Sequence, residues 1–477
     1  MKLRNATLAQ LRIPGPGYDR AAVGIGIVHF GVGGFHRAHQ AVYIDQLLRR
    51  GRASSWGICG VGILPADRRM RDVLHAQDGL YTLVVEHPDG HRDARVIGSI
   101  LGYRYAPDNP VAVVELLAAP TTRIISMTIT EGGYRIADAD GDPSAFPLIV
   151  EALDRRRELG IAAPTILSCD NVERNGEAAR HAVVAQAQRS RPELAGWIVE
   201  QVRFPNSMVD RITPATTPEV IAAVARDFGV DDEWPVSTEP FSSWVIEDDF
   251  RAGRPPLEDL ADAGVLLVDD VTPYESMKLR LLNAGHQCLC YFGYLCGYRL
   301  VHDAVGDPLL AEFLLAYFDS EAIPTLQPVP GIDLANYSRT LIDRFANPGT
   351  RDTVARLCAD SSDRIPKWLL PVIRDNLAAG GPVRLAAATV AAWARYVEGI
   401  DEQGHPIEVV DRLAASLVPV ARSQRTHGGA FIENATVFGD LAQVPRFVEA
   451  YRWTLDSLHR RGARATLETL LSPTKPT

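Results

Sequence analysis

The chain has two textures. Between residues 22 and about 271, short apolar runs rich in β-branched residues are separated by stretches of helical periodicity; beyond that point apolar residues recur every three or four positions over long segments. β-type runs are predicted at 25–30, 56–61, 81–86, 95–100, 123–130, 165–168 and 264–268, and helices at 35–50, 277–295, 308–318, 366–379, 383–397 and 444–461. Glycines at 31, 33 and 34 break the chain between the first run and the first helix, which makes half of a βαβ unit. Strands alternating with helices predict a doubly wound sheet. A mainly α-helical part should follow, with the proline-rich patch at Arg254-Pro255-Pro256 marking the approach to the change. Two domains are expected, 1–273 and 274–477, with no internal repeat or low-complexity tract.

Composition narrows the partners. With 477 residues, 46% of them hydrophobic and 23% charged, the chain can bury a large core. A formal net charge of -10 argues against a general affinity for nucleic acid or an anionic membrane, so a small-molecule partner is expected. The six cysteines form no C-x-x-C pair, and neither a disulfide framework nor a zinc ribbon is suggested. The first residues lack a signal-peptide core and no run of about 18 apolar residues occurs, so a cytoplasmic protein is expected. Oligomeric state is left open.

The turn Gly31-Val32-Gly33-Gly34-Phe35 follows a predicted strand and opens a predicted helix, the context a dinucleotide fingerprint requires. Gly31 would permit the tight turn and Gly33 a close approach of the backbone to a pyrophosphate. His36 stands where a third glycine is usual, so close packing of helix on strand must be achieved differently. After the second strand, Asp67 is the nearest carboxylate for a ribose 2′-hydroxyl and favours NAD; Arg68 and Arg69 beside it keep NADP open.

A second cluster lies at the start of the helical part. Read as an α-helix, the segment 274–286 puts Lys278, His286 and Asn283 at roughly 0°, 80° and 140° around the axis, so all three can reach one cavity. Hydride transfer between a carbinol and a nicotinamide needs a base and alkoxide donors. No cysteine and histidine spacing resembles a catalytic zinc site, so no metal is expected and a protein base is favoured. Lys278, desolvated by apolar neighbours, could be that base, with Asn283 donating to the oxyanion and His286 gripping a hydroxyl. A solvated or snorkelling lysine is the plainer reading. Tyr274-x-x-x-Lys278 imitates the pair of short-chain dehydrogenases but lies outside the nucleotide-binding part. Two further polar knots, Ser168-Cys169-Asp170-Asn171 and Asp210-Arg211, could meet a ligand; the alternatives are a helix cap and a local ion pair.

Together, 31–40, 128–134, 168–171 and Lys278, Asn283 and His286 resemble the mannitol dehydrogenase family, the polyol-specific long-chain dehydrogenases. The likeness runs over nearly the whole chain, including 204–214, 269–274 and 331–345. It implies a Rossmann-type α/β domain followed by a mainly α-helical domain, an active site between them and no metal. Lys278 is then similar to the family's general base, and Asn171 and Asn283 to the asparagines that hold the alkoxide. Asp210 and His286 match positions that orient substrate or lysine, Glu275 a carboxylate that relays the proton, and Arg356 a residue that hydrogen-bonds the polyol. Asp67 matches the acid associated with NAD, while Ala66 departs from the acid often found before it. Ser361 and Arg364 stand where relatives commonly carry glycine and lysine, so the far end of the substrate could be read differently. The implied activity is NAD-dependent oxidation of D-mannitol at C2 to D-fructose. D-Arabinitol 4-dehydrogenation and D-sorbitol oxidation are neighbouring alternatives. Fructuronate reduction is disfavoured, because its carboxylate should select another basic pattern around 356–367. A nucleotide-binding sensor without catalysis is the alternative of a different class, against which the intact Lys278, Asn171 and Asn283 set speaks.

Overall fold

The computed structural model describes residues 1–135 and 144–472. The chain forms two compact units, Met1–Thr272 and Pro273–Thr477. Among the described residues the first holds eleven strands: β1 (Ile25–Phe30), β2 (Gly57–Gly62), β3 (Tyr81–Glu86), β4 (Arg92–Ile97), β5 (Ile100–Tyr105), β6 (Ile124–Met127), β7 (Thr165–Ser168), β8 (Ser207–Asp210), β9 (Val236–Thr238), β10 (Ser243–Glu247) and β11 (Val265–Val268). Five form a sheet in the order β5-β2-β1-β6-β7, with every pairing parallel. β1 is central, and its alternate residues feed opposite layers: Ile27 packs with Val42, Leu47 and Trp56, whereas Val28 and Phe30 pack with Ile125, Ile149 and Val150. Covered on both faces, a central parallel strand reads as a nearly continuous apolar run.

Two three-stranded sheets, β11-β10-β8 and β4-β3-β9, complete the unit. The predicted strand at 95–100 is really the end of β4 and the start of β5, which lie in different sheets. Gly98 and Ser99 make the break: Gly98 N–H donates to Asp45 Oδ1 at 2.9 Å and Ser99 Oγ to the Ala41 carbonyl at 2.6 Å. The helix expected at 35–50 is likewise divided, into α1 (Gly34–Ala38) and α2 (Gln40–Arg49). Its break at His39 (φ -121°, ψ -96°) is tertiary in origin, since the ring reaches the Ser243 carbonyl at 2.9 Å and stacks on Phe35.

Helices dominate the second unit, and among its described residues no named strand occurs. Ala284–Leu295 is buried along nearly its whole length, the signature of a central helix, and so is Arg384–Val397, against which Pro445–Leu471 packs. That last helix is kinked at Gly462 (φ 80°). The helix expected at 366–379 is two, Ser361–Trp368 and Leu370–Ala379, because Pro371 cannot donate back into the preceding turn. Among the described residues no helix is long and apolar enough to cross a membrane.

Candidate active site

In the first unit, strand order reverses beside β1: β2 and β5 lie on one side, β6 and β7 on the other. Open parallel sheets take their ligands at such a point, beyond the carboxyl ends of the strands. Gly31 leaves β1 there with φ +84°, and a Cβ on it would lie 2.1 Å from the Thr128 carbonyl oxygen. Only glycine fits. Gly33 is the opposite case: a Cβ there would meet nothing nearer than the Gly31 oxygen at 3.9 Å, and Gly34 is similarly open, with its nearest neighbour 3.7 Å away. A tight turn followed by bare, open backbone at Gly33 and Gly34, with Val32 buried beneath and Phe35 half-buried, fits a dinucleotide pyrophosphate.

His36 supplies the close packing that a third glycine would have allowed. Its ring lies flat on that of His29 from β1, with centroids 3.5 Å apart, so helix meets strand through two stacked imidazoles. Burial pushes the His29 pKa down to about 3 and that of His36 well below the usual value, so both rings are neutral. His29 in turn contacts Ser126 Oγ at 2.8 Å and Thr128 Oγ1 at 3.0 Å, and Thr128 donates to the Gly31 carbonyl at 2.6 Å. The glycine turn thus rests on a polar chain that enters the protein. A histidine inside an otherwise apolar central strand was the sequence signal for it.

Asp67 opens α3 (Asp67–Ala76), and its Oδ2 accepts the backbone N–H groups of Ile63 and Leu64, both at 2.8 Å, just past β2. It therefore organises the loop that follows β2. The two arginines beside it lean on aromatic rings, Arg69 on Trp234 at 4.4 Å and Arg68 on Tyr105 at 5.7 Å.

Beyond β7, Asp170 is not a helix cap. Its carboxylate accepts from Ile129 N at 3.0 Å, Thr130 N at 2.8 Å and the Tyr134 hydroxyl at 2.7 Å, tying together the loops after β6 and β7. Burial raises its pKa, and those three donors oppose the rise. Asn171 follows directly and is exposed. Asn175, which sequence reasoning passed over, fixes this corner by donating to the Asp170 and Ser207 carbonyls at 3.0 and 2.8 Å while accepting from Ser207 N at 2.9 Å. Asp210 ends β8 and is 5% exposed. Arg211 points elsewhere, to the carbonyls of Ala38 at 2.6 Å and Glu239 at 3.0 Å, so a simple Asp210–Arg211 pair does not describe this position.

In the second unit, Glu275, Lys278, Asn283 and His286 sit on one stretch of chain and are 8%, 6%, 4% and 9% exposed. The stretch is not a plain α-helix. Thr272–Met277 is α, Lys278–Asn283 is a π-helix, and Ala284–Leu295 is α again. The α-helical angles expected from sequence are therefore corrected: an i to i+5 turn sets Asn283 roughly above Lys278 instead of 140° away. Asn283 Nδ2 is fully buried and has no hydrogen-bond partner among the described residues, an N–H donor that a developing oxyanion would satisfy. His286 stacks on Phe345 with centroids 4.2 Å apart. The Tyr274 hydroxyl donates to the Pro330 carbonyl at 2.9 Å. Arg356 makes a two-point contact with Asp352, and Arg364 Nη1 donates to the carbonyls of Arg356 and Leu357 at 3.2 and 3.3 Å, so these two arginines are neighbours. The helix of Arg356, Val354–Cys358, packs on Ala284–Leu295, where Gln287 Nε2 donates to the Leu357 carbonyl at 3.2 Å. The Ser361 hydroxyl is spent internally, on the Cys358 carbonyl and Tyr291. Among the described residues no group of three or more His, Cys, Asp or Glu side chains could hold a metal ion.

Residues 25–259 match the model of the mannitol dehydrogenase Rossmann domain and residues 270–459 that of the mannitol dehydrogenase C-terminal domain. Among curated relatives, mannitol 2-dehydrogenase of Phaeosphaeria nodorum is 42% identical, covering 98% of this chain and 85% of its own length. That of Aspergillus terreus is 40% identical, covering 98% of each. Among solved structures, the Pseudomonas fluorescens mannitol 2-dehydrogenase complex with NAD and D-mannitol is similar with a TM-score of 0.89 and 42% identity, over 99% of this chain and 100% of that one. A substrate-free D-sorbitol dehydrogenase also reaches 0.89, at 34% identity and with 98% and 100% covered.

Proposed function

The chain belongs to the mannitol dehydrogenase family, and from that premise we propose that it is an NAD-dependent polyol dehydrogenase interconverting D-mannitol and D-fructose at C2. What carries the reading is a buried lysine and an orphaned carboxamide donor on one wide helical turn, in a chain like mannitol 2-dehydrogenases along its whole length. Gly31, Val32, Gly33, Gly34, Phe35 and Asp67 hold the dinucleotide. When bound, NAD supplies the acceptor for the hydride leaving the carbinol carbon.

Lys278, as the neutral amine, takes the proton of the C2 hydroxyl. As that O–H bond breaks, its electron pair becomes the carbonyl π bond, and Asn283 and Asn171 donate to the oxygen while it carries charge. Asp210 and His286 orient lysine and substrate, and Glu275 passes the proton onward. Arg356 and Arg364 bind hydroxyls at the far end, so the choice between mannitol, sorbitol and arabinitol lies there. Replacing Lys278 by Ala should lower kcat by about 10²–10⁴-fold, the usual worth of a positioned base, with NADH binding unchanged. Turnover near wild type would remove the mechanism. Initial rates with D-mannitol, D-sorbitol and D-arabinitol, each with NAD and NADP, test substrate and cofactor together; mannitol with NAD should be fastest.

A further inference from the structure

A wide turn is an extra residue in a helix, and the helix itself does not say where that residue must sit. The turn can slide along the ladder unless something outside pins it. At the exit of Lys278–Asn283, the N–H of Ala284 donates to the carbonyls of Leu279 and Leu281 and passes over Arg280, its ordinary α-helical partner. The passed-over carbonyl is met from another helix. Tyr317, fully buried at the end of Pro308–Tyr317, donates its hydroxyl to Arg280 O at 3.1 Å. Arg280 is also tied through its side chain, from Nη1 to the Thr325 carbonyl at 2.9 Å and to Asp375 Oδ2 at 2.6 Å. Directly after Tyr317 comes a second π-helix, Phe318–Ala322. The Phe318 ring fills the space opposite Gly285, where a Cβ would lie 2.9 Å from its Cζ. The two wide turns are thus packed on each other, with the Tyr317 hydroxyl as the polar contact between them.

We propose that Tyr317 is a positioning residue for the reaction: by taking the Arg280 carbonyl it pins the wide turn at 278–283 and keeps Asn283 over Lys278. The inference rests on Lys278 being the base and adds the group that holds base and alkoxide donor in one geometry. Without the hydroxyl, that carbonyl seeks Ala284 N–H, the extra residue moves along the helix, and Asn283 swings away from the lysine.

Tyr317→Phe deletes one oxygen and adds none, so the fold should survive. The control is Tyr451→Phe, which loses another buried hydroxyl of the same unit, bonded to Gln424 Oε1 at 2.5 Å and remote in sequence from the turn. In Tyr317→Phe, kcat for polyol oxidation should fall about 10- to 100-fold, the scale of an ångström-sized misplacement. The pH at which kcat/KM rises should move by about half a unit or more, and NADH affinity should stay unchanged. Tyr451→Phe should lose comparable thermal stability with its pH profile unmoved. A wild-type kcat and pH profile in Tyr317→Phe, or equal kinetic losses in both variants, overturns the inference. If Lys278→Ala is inactive while Tyr317→Phe behaves as wild type, only the positioning role falls; an active Lys278→Ala overturns the base assignment beneath it.

Discussion

His29 sits between two hydroxyls, and counting protons decides how. A neutral imidazole donates from one nitrogen only. Thr128 spends its single proton on Gly31 O, so its oxygen accepts from His29 Nε2–H. Nδ1 must then accept, from the Ser126 hydroxyl 2.8 Å away. The Ser126 hydroxyl also faces the acceptor Gln40 Oε1, 2.8 Å away, so its one proton serves two acceptors. Gln40, Ser126, His29, Thr128 and Gly31 thus form one continuous hydrogen-bonded chain. Because the folded pKa of His29 is depressed to about 3, its contribution to stability is complete above about pH 6.5 and lost as pH falls toward 3. Urea unfolding between pH 7 and 4 should show the loss, on the order of a few kcal/mol, and His29→Gln should flatten it; an unchanged slope would refute the assignment. Gly31→Ala, clashing with the Thr128 carbonyl, should abolish NADH binding measured by fluorescence. Glycine and lysine were legible as candidates at this scale; the stacked histidines were not, because nothing local pairs residues seven apart across a turn.

Elements were read well where period and burial agree and poorly where a partner intervenes. β1 and Ala284–Leu295 have the patterns their positions demand. The break at His39 and the wide turn at Lys278–Asn283 do not show in periodicity, since each is held by a distant group: the Ser243 carbonyl in one case, the Tyr317 hydroxyl in the other. Another buried carboxylate works the same way. Glu321, in the second wide turn, accepts from Leu385 N at 2.7 Å and Ala386 N at 2.8 Å, capping the central helix Arg384–Val397 from outside its own sequence. Burial pushes its pKa up to about 7. With the folded value raised, its stabilisation is full below about pH 4.5 and is lost as pH rises through 7. The loss between pH 5 and 8 should be on the order of 3 kcal/mol, and Glu321→Gln, neutral throughout, should remove that slope in denaturant titrations. A variant as pH-sensitive as wild type would disprove the role.

For the molecule as a whole, His29 weakens the first unit in acid and Glu321 weakens the second toward alkali, so the two units should lose stability at opposite ends of the pH range. Exhaustive chelation should leave polyol turnover intact, because the chemistry assigned to Lys278 needs no Lewis acid; a loss restored by added zinc would contradict it. The sequence by itself determined the class of each unit, the glycine turn and which polar residues stand among apolar neighbours, because those follow from local period and local steric demand. Only the tertiary structure decided that the run at 95–100 divides between two sheets, that His36 replaces a glycine by stacking on His29, and that Lys278–Asn283 winds as a π-helix. Each of these depends on a hydrogen bond or ring contact supplied by another element, and such contacts leave no mark on the spacing of the residues they join.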